Sequence, residues 1–277
     1  MGFRINTNVA SLSAQRSLGV NNRETESNLS KLSSGSRITK AADDAAGLAI
    51  SEKMKAGIRS MKQADRNAND GISMVQTAEG GLNEVSSILT RMRELAIQTS
   101  SDTVGDTERG MTNMEYQNLK LELDRISQVT EFNGKKLLSG DGDKYDFQIG
   151  VNNDAFQDRI TYDASQVNSR LDNLGVSELD VSTKDGSQSS LSSLDSAIEK
   201  VSGQRAFLGA IQNRLVSTSN NLQVTTENLS AANSRIRDVD YAEATAQKAK
   251  NDILSSAGTS VLAQANMNGQ NALKLIG

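Results

Sequence analysis

Catalysis needs side chains that titrate, attack or ligate, and this chain offers few of them. Histidine and cysteine are both absent. That removes imidazole general bases, Ser-His-Asp and Cys-His nucleophiles, thiolate and imidazole metal sites, and disulfides. Carboxylates, lysines, tyrosines and main-chain groups remain. Asp43-Asp44 stands just ahead of a long apolar-periodic stretch. A paired-carboxylate catalytic or metal site is one reading. Helix capping is the other, because a carboxylate there accepts free N–H groups and faces the positive end of the helix dipole. Asp141 and Asp143 have the first spacing of a calcium loop, but its Gly and closing Glu positions are not filled, so this segment reads as a turn. Asn28-Leu29-Ser30 and Asn228-Leu229-Ser230 are formal glycosylation acceptors, yet both fall inside predicted helices. Phosphate loops, dinucleotide fingerprints and nucleophile elbows are missing. No catalytic, cofactor-binding or metal residue is assigned. A carboxylate-based hydrolase is the remaining enzymatic alternative, and it would need acids clustered in a concave site.

The residues that could do something else, bind another helix, are far more numerous. Of 277 residues only 3% are aromatic and 36% apolar, and proline is absent. Narrow seams between helices need little more, and nothing breaks them. Thirty basic and 34 acidic residues leave a net charge of −4, which gives no argument for nucleic acid or membrane surfaces. No run of about 18 apolar residues exists, so no membrane insertion is expected. Met1 to Gln15 lacks the apolar core of a secretory signal.

Stepping by three and four from Gly47 visits Ile50, Met54, Met61, Ala64, Ala68, Val75, Ala78, Leu82, Val85, Leu89, Met92 and Ala96 before Thr99. That repeat predicts a helix over about 44–99, roughly 80 Å long, with one narrow seam that must lie against a partner. Arg91, Leu95 and Gln98 fall off the seam, so Leu95 reads as an exposed, incidental apolar residue. Gly80-Gly81 is a bend or a point of close packing. A helix over about 108–130 carries Tyr116, Leu119, Leu123 and Ile126 on one face. Asn133-Gly134 predicts a tight turn. Tyr145, Phe147, Ile149 and Val151 alternate with polar residues as in a strand, with a second strand at Arg159 to Tyr162. Val176, Leu179 and Val181 anchor the loop that follows. Leu194, Val201, Leu208, Leu215, Leu222, Leu229 and Ile236 recur every seventh residue, predicting a second rod over about 190–236 that returns antiparallel to the first.

The chain ends carry weaker amphipathic patterns. Ile5, Val9 and Leu12 share one face near the start, where pattern alone suggests a frayed basic tail. Leu254, Gly258, Val261, Ala265, Asn268, Ala272 and Leu275 form a 3-4 seam near the end. The fold class expected is mainly α, a long antiparallel helical bundle or coiled-coil rod with a small β-hairpin region at one end. Apolar edges left over at the two ends suggest association between copies.

Several stretches also resemble one family. Leu32-Ser33-Ser34-Gly35-Ser36-Arg37-Ile38, then Ala41-Ala42-Asp43-Asp44-Ala45-Ala46-Gly47, Arg91-Met92-Arg93-Glu94-Leu95-Ala96-Ile97-Gln98 and Phe132-Asn133-Gly134 stand in the first half. Leu208-Gly209-Ala210-Ile211-Gln212-Asn213-Arg214, Ser234-Arg235-Ile236 and Ala257-Gly258-Thr259-Ser260-Val261-Leu262-Ala263-Gln264-Ala265-Asn266 stand in the second. In these motifs and their order the chain resembles bacterial flagellin, over roughly 1–140 and 190–277. Asn266 to Asn271 lacks the proline common there in that family.

The resemblance implies a terminal coiled-coil filament-core domain from 1–42 plus 240–277. It implies a rod domain over 43–239 with a small β region at about 133–182, and no large outer domains. It implies a structural subunit that self-assembles into the flagellar filament for swimming motility, is exported unfolded through the flagellar type III system, and is extracellular. Its partners would be further copies in a helical homopolymer, an export chaperone, and cap and hook-junction proteins. Toll-like receptor 5 would read a rod surface at Arg91, Leu95, Gln98 and Glu115. Ile5, Val9, Leu12, Leu254, Val261, Ala265 and Leu275 would form the terminal assembly seam. The alternative within the same apparatus is a hook–filament junction protein.

Overall fold

The structure, a computed structural model, describes residues 7–141 and 144–274. Ile5, Asp143 and Leu275 therefore lie outside the described residues. Two compact units form: the described parts of 1–56 with 228–277, and residues 57–227.

The first unit is built on the helix pair α1 (Val9–Ser34) and α6 (Tyr241–Lys274). Asn8 starts α1, its Oδ1 accepting from Ser11 N at 3.0 Å. Gly35 ends it at φ +68°, a left-handed conformation that glycine adopts without strain. The basic start of the chain is thus a regular helix where pattern alone suggested a frayed tail. It is held by packing along α6 rather than by its own propensity. Beside the pair, Arg37 N donates to Arg237 O at 2.6 Å and Val239 N to Gly35 O at 3.0 Å, tying the two connections together.

The aspartate pair is structural on both counts. Asp44 Oδ1 accepts from Gly47 N at 2.8 Å and so caps α2 (Ala45–Thr99). Asp43 does a different job: its Oδ2 accepts from Thr39 N, Lys40 N and Thr39 Oγ1, each at 3.0 Å, closing the preceding loop. The Lys40 and Thr39 amides hold the Asp43 carboxyl below its ordinary range.

In the second unit, α2 packs with α3 (Asp106–Val129) and α5 (Lys184–Arg237) around one buried cluster. Ala68, Val75, Ala78, Leu82, Val85, Leu89, Met92 and Ala96 of α2 are all sealed within it. Contacts Thr99–Ser187, Arg93–Asp195 and Asp65–Ser219 show α5 running antiparallel to α2. The heptad leucines Leu194, Leu208 and Leu215 with Val201 face inward. Helix α5 begins at Lys184, earlier than the apolar repeat indicates, because serines occupy its first inward positions. Ser187 Oγ lies 2.8 Å from both Thr99 Oγ1 and Thr183 O, so its single proton has an acceptor within the core.

Strands β1 (Glu131–Phe132) and β2 (Lys135–Lys136) turn through Asn133 at φ 50° and Gly134 at φ 75°, the two positive values of a type I′ turn. Strands β3 (Lys144–Gln148) and β4 (Arg159–Asp163) pair antiparallel with Tyr145 opposite Tyr162 and Phe147 opposite Ile160. Val151 lies past the end of β3 and is exposed. The hairpins flank α2: Asn67 Nδ2 donates to Gln148 O at 2.9 Å, and a Cβ on Gly81 would stand 2.7 Å from Leu138 Cδ1. Gly81 is therefore a point of close packing, and α2 continues through it without a break. Between the hairpin and α5, a 3-10 turn (Ala164–Gln166) and the short α4 (Leu171–Leu174) carry the chain, with Val176 and Val181 buried as anchors.

Candidate association surfaces

The α1–α6 pair is built with its polarity reversed. In register with Ser11, every third or fourth residue of α1 turns toward α6: Ala14, Leu18, Asn21, Thr25, Asn28 and Leu32, each buried or half-buried. From α6 the facing positions are Ala244, Asn251, Ser255, Gly258, Leu262 and Ala265. Small and polar groups thus share the inside with Leu18, Leu32 and Leu262. Asn8 Nδ2 donates to Ala265 O, Ser11 Oγ to Asn266 Oδ1 and Asn21 Nδ2 to Asn251 O, all at 2.8 Å.

Other large apolar side chains of the pair stay exposed. Val9 is 63% exposed, Leu12 52%, Leu254 47% and Val261 58%. At roughly 100° per residue, Val9, Leu12 and Val20 lie on the side of α1 opposite Ser11 and Asn21. Leu254 and Val261 edge a groove of about 540 Å³ whose other wall is Ala10, Ser13, Ala14 and Ser17. Ala265 differs from these: it is buried against α1 and lies on the inner seam. Residues with this much exposed apolar surface suit helix–helix docking far better than chemistry.

The second expected surface lies on α2 and α3. Arg91 donates to Glu115 Oε1 at 2.9 Å and to Glu94 Oε2 at 3.0 Å, and Glu115 followed by Glu94 holds its guanidinium above the ordinary value. Arg91, Gln98 and Glu115 are exposed. Leu95 is not: at 2% exposure it belongs to the buried cluster with Tyr116 and Leu123 of α3. The expectation of an exposed Leu95 fails because α2 meets two helices here, so its buried stripe is wider than a single 3-4 seam. Met111 and Met114 on α3 are exposed beyond half and were not singled out by spacing. Arg109 was missed as well. It is buried, donating from Nε to Thr99 O at 3.0 Å and from Nη2 to Ser101 O at 2.9 Å, and so caps the end of α2. Among the described residues, no group of three or more acids could hold a metal ion, and no helix is long and apolar enough to cross a membrane.

A helical core in one unit and, in the other, a terminal helix pair with exposed apolar residues mark a helical structural protein. Comparison with known proteins specifies which. The model of the bacterial flagellin N-terminal helical region matches residues 5–143, and that of the C-terminal helical region matches residues 191–276. Flagellin of Halalkalibacterium halodurans is 44% identical over 98% of this chain and 99% of its own. The flagellar filament 30.7 kDa core protein of Treponema maltophilum is 39% identical, over 98% and 99% respectively. The crystal structure of Bacillus cereus flagellin, at 31% identity, covers 61% of this chain and 94% of its own with a TM-score of 0.51. The chain belongs to the bacterial flagellin family, and it is a structural protein rather than an enzyme.

Proposed function

We propose that this chain is a structural subunit that assembles with further copies of itself into the flagellar filament and serves swimming motility. The observation that carries the reading is the apolar surface the terminal pair leaves exposed at Val9, Leu12, Leu254 and Val261. Burying such a face returns about 25 cal/mol for each Å² removed from water, and in a polymer every copy contributes it. In this reading 1–42 with 240–277 forms the filament-core domain and 43–239 the rod domain. Unfolded export through the flagellar type III system would place the subunit outside the cell, and a chain without cysteine carries no disulfide to hinder unfolding. An export chaperone, cap and hook-junction proteins would be its partners on that route. The Arg91–Glu115 pair with Gln98 is the surface offered to Toll-like receptor 5, with Leu95 supporting it from the core.

Purified chain mixed with short filament seeds tests the reading under the electron microscope. Growth of long filaments is expected. Decoration of seed ends without growth would instead indicate a hook–filament junction protein.

A further inference from the structure

The dipeptide Asn-Gly occurs twice in the chain, at Asn133-Gly134 and Asn268-Gly269. Asparagine is chemically fragile there, because glycine has no side chain to keep its main-chain nitrogen from the neighbouring carboxamide. Asn268 falls within α6, whereas Asn133-Gly134 forms the whole loop between β1 and β2. The reaction at such a loop needs only water. Gly134 N, losing its proton to a base in solution, bonds Asn133 Cγ; the Cγ–Nδ2 bond breaks and ammonia leaves. Water then opens the five-membered succinimide. Addition at Cγ gives aspartate. Addition at the main-chain carbonyl gives isoaspartate, whose main chain runs through Cβ and Cγ and is one atom longer.

Burial does not protect Asn133. It is exposed, and a Cβ on Gly134 would meet nothing within 4 Å. Backbone geometry does protect it. Ring closure needs Gly134 N and Asn133 Cβ nearly eclipsed about the Cα–C bond. With φ 50° at Asn133 and 75° at Gly134 the turn is type I′, whose first central residue has a ψ of about +30°. That ψ sets the two atoms nearly opposite each other, so the nitrogen cannot reach Cγ. The turn is held from its base rather than by its two-residue strands. Leu137 and Leu138 behind it are fully buried, Leu137 N donates to Thr130 O at 3.1 Å, and Tyr162 Oη donates to Leu137 O at 3.2 Å. Leu138 packs tightly on α2 at Gly81, and Lys135 Nζ sits 4.5 Å from the centre of the Tyr145 ring.

We propose that Asn133 is a deamidation site controlled by folding: closed while the β1–β2 hairpin stands on α2, and open whenever the 57–227 unit unfolds. The modification then leaves its mark on the fold. A two-residue loop that keeps Phe132 opposite Lys135 has no room for an extra main-chain atom, so isoaspartate at position 133 breaks that register. Aspartate keeps it, because Asp-Gly also favours a type I′ turn. A chain that lingers unfolded thus refolds with a damaged hairpin. The effect depends on folding alone and holds whether or not copies assemble.

The full chain is incubated in mildly alkaline buffer, native and in urea, and peptide mapping follows the asparaginyl, aspartyl and isoaspartyl forms at position 133. The native rate should be at least about tenfold below the rate in urea, as for a reaction that must wait for local opening. Leu138→Val loosens the base of the hairpin without touching the dipeptide. It should raise the native rate severalfold and leave the rate in urea unchanged. A native rate equal to that in urea would overturn the proposal, as would a native rate indifferent to Leu138→Val. Chain returned from urea to native buffer is then separated by its form at position 133. The isoaspartyl fraction should unfold at a lower urea concentration than the unmodified chain, while Asn133→Asp stays close to it. Unfolding of the isoaspartyl fraction at the parental midpoint would overturn the claim that the modification damages the hairpin.

Discussion

Leu95 shows how a single side chain changes meaning with its surroundings. It lies one step off the apolar repeat of α2, yet α3 closes over it beside Tyr116 and Leu123. Leu95→Ala should therefore cost about 2–5 kcal/mol in the stability of the 57–227 unit, read by chemical denaturation. Gln98→Ala, at an exposed position, should stay within about 0.5 kcal/mol in the same assay. Tyr116 predicts a pH dependence. Burial pushes its hydroxyl up to about 12 from an ordinary 10.0, with the nearby Ser190 hydroxyl acting in the opposite direction. A group whose folded pKa is raised holds its proton more tightly when folded, so its contribution is complete below pH 10.0 and is lost as pH rises from there toward about 12. Tyr116→Phe removes a hydroxyl that has no partner, so stability at neutral pH should be unchanged or rise by up to about 1 kcal/mol. The alkaline fall between pH 10 and 12 should become shallower, as a pH series of denaturation curves would show. Asn21, Asn251 and Arg109 could not be found by searching for chemistry or for apolar periodicity. Asn21 and Asn251 are made interior by a helix distant in sequence and Arg109 by the nearby end of α2, and only the 3-4 spacing of Ser11, Ala14, Leu18, Asn21 and Thr25, read without regard to polarity, carries a trace of the first.

At the scale of elements, the glycine pair of α2 offers a matched comparison. A Cβ at Gly80 would meet nothing within 4 Å, whereas one at Gly81 would stand 2.7 Å from Leu138 Cδ1 and 2.8 Å from Thr130 Oγ1. Gly80→Ala should stabilise α2 by about 1 kcal/mol through helix propensity. Gly81→Ala should destabilise by about 1–3 kcal/mol through overpacking. Thermal unfolding of the two variants gives the opposite signs directly. The long helices were legible because their seams repeat over many turns, and Asn133-Gly134 specified its turn through the positive φ values it requires. Less was legible where polar residues face inward. The serine-rich start of α5 hides two further turns of helix, and nothing local tells the β3–β4 hairpin that it docks at Asn67 and Gly71 of α2. The terminal seam is legible only in part: Val9, Leu12, Leu254 and Val261 stand out as apolar, but spacing alone does not show that they stay exposed while Ala265 is buried.

For the whole molecule, the central claim is that copies associate through the outward apolar faces of the terminal helices while residues 57–227 fold independently of that contact. A family whose N- and C-terminal helical regions account for residues 5–143 and 191–276 makes both ends of the chain essential to the claim. The most direct measurement places a charge on each face, Leu12→Glu with Val261→Glu, and follows seeded polymerisation by sedimentation and electron microscopy beside thermal unfolding of the soluble chain. Each glutamate would have to be buried unpaired in a contact, which costs several kcal/mol per copy. The account predicts that no filaments form while the unfolding transition of the 57–227 unit is unchanged. Filaments of parental length and yield from the doubly substituted chain would contradict it.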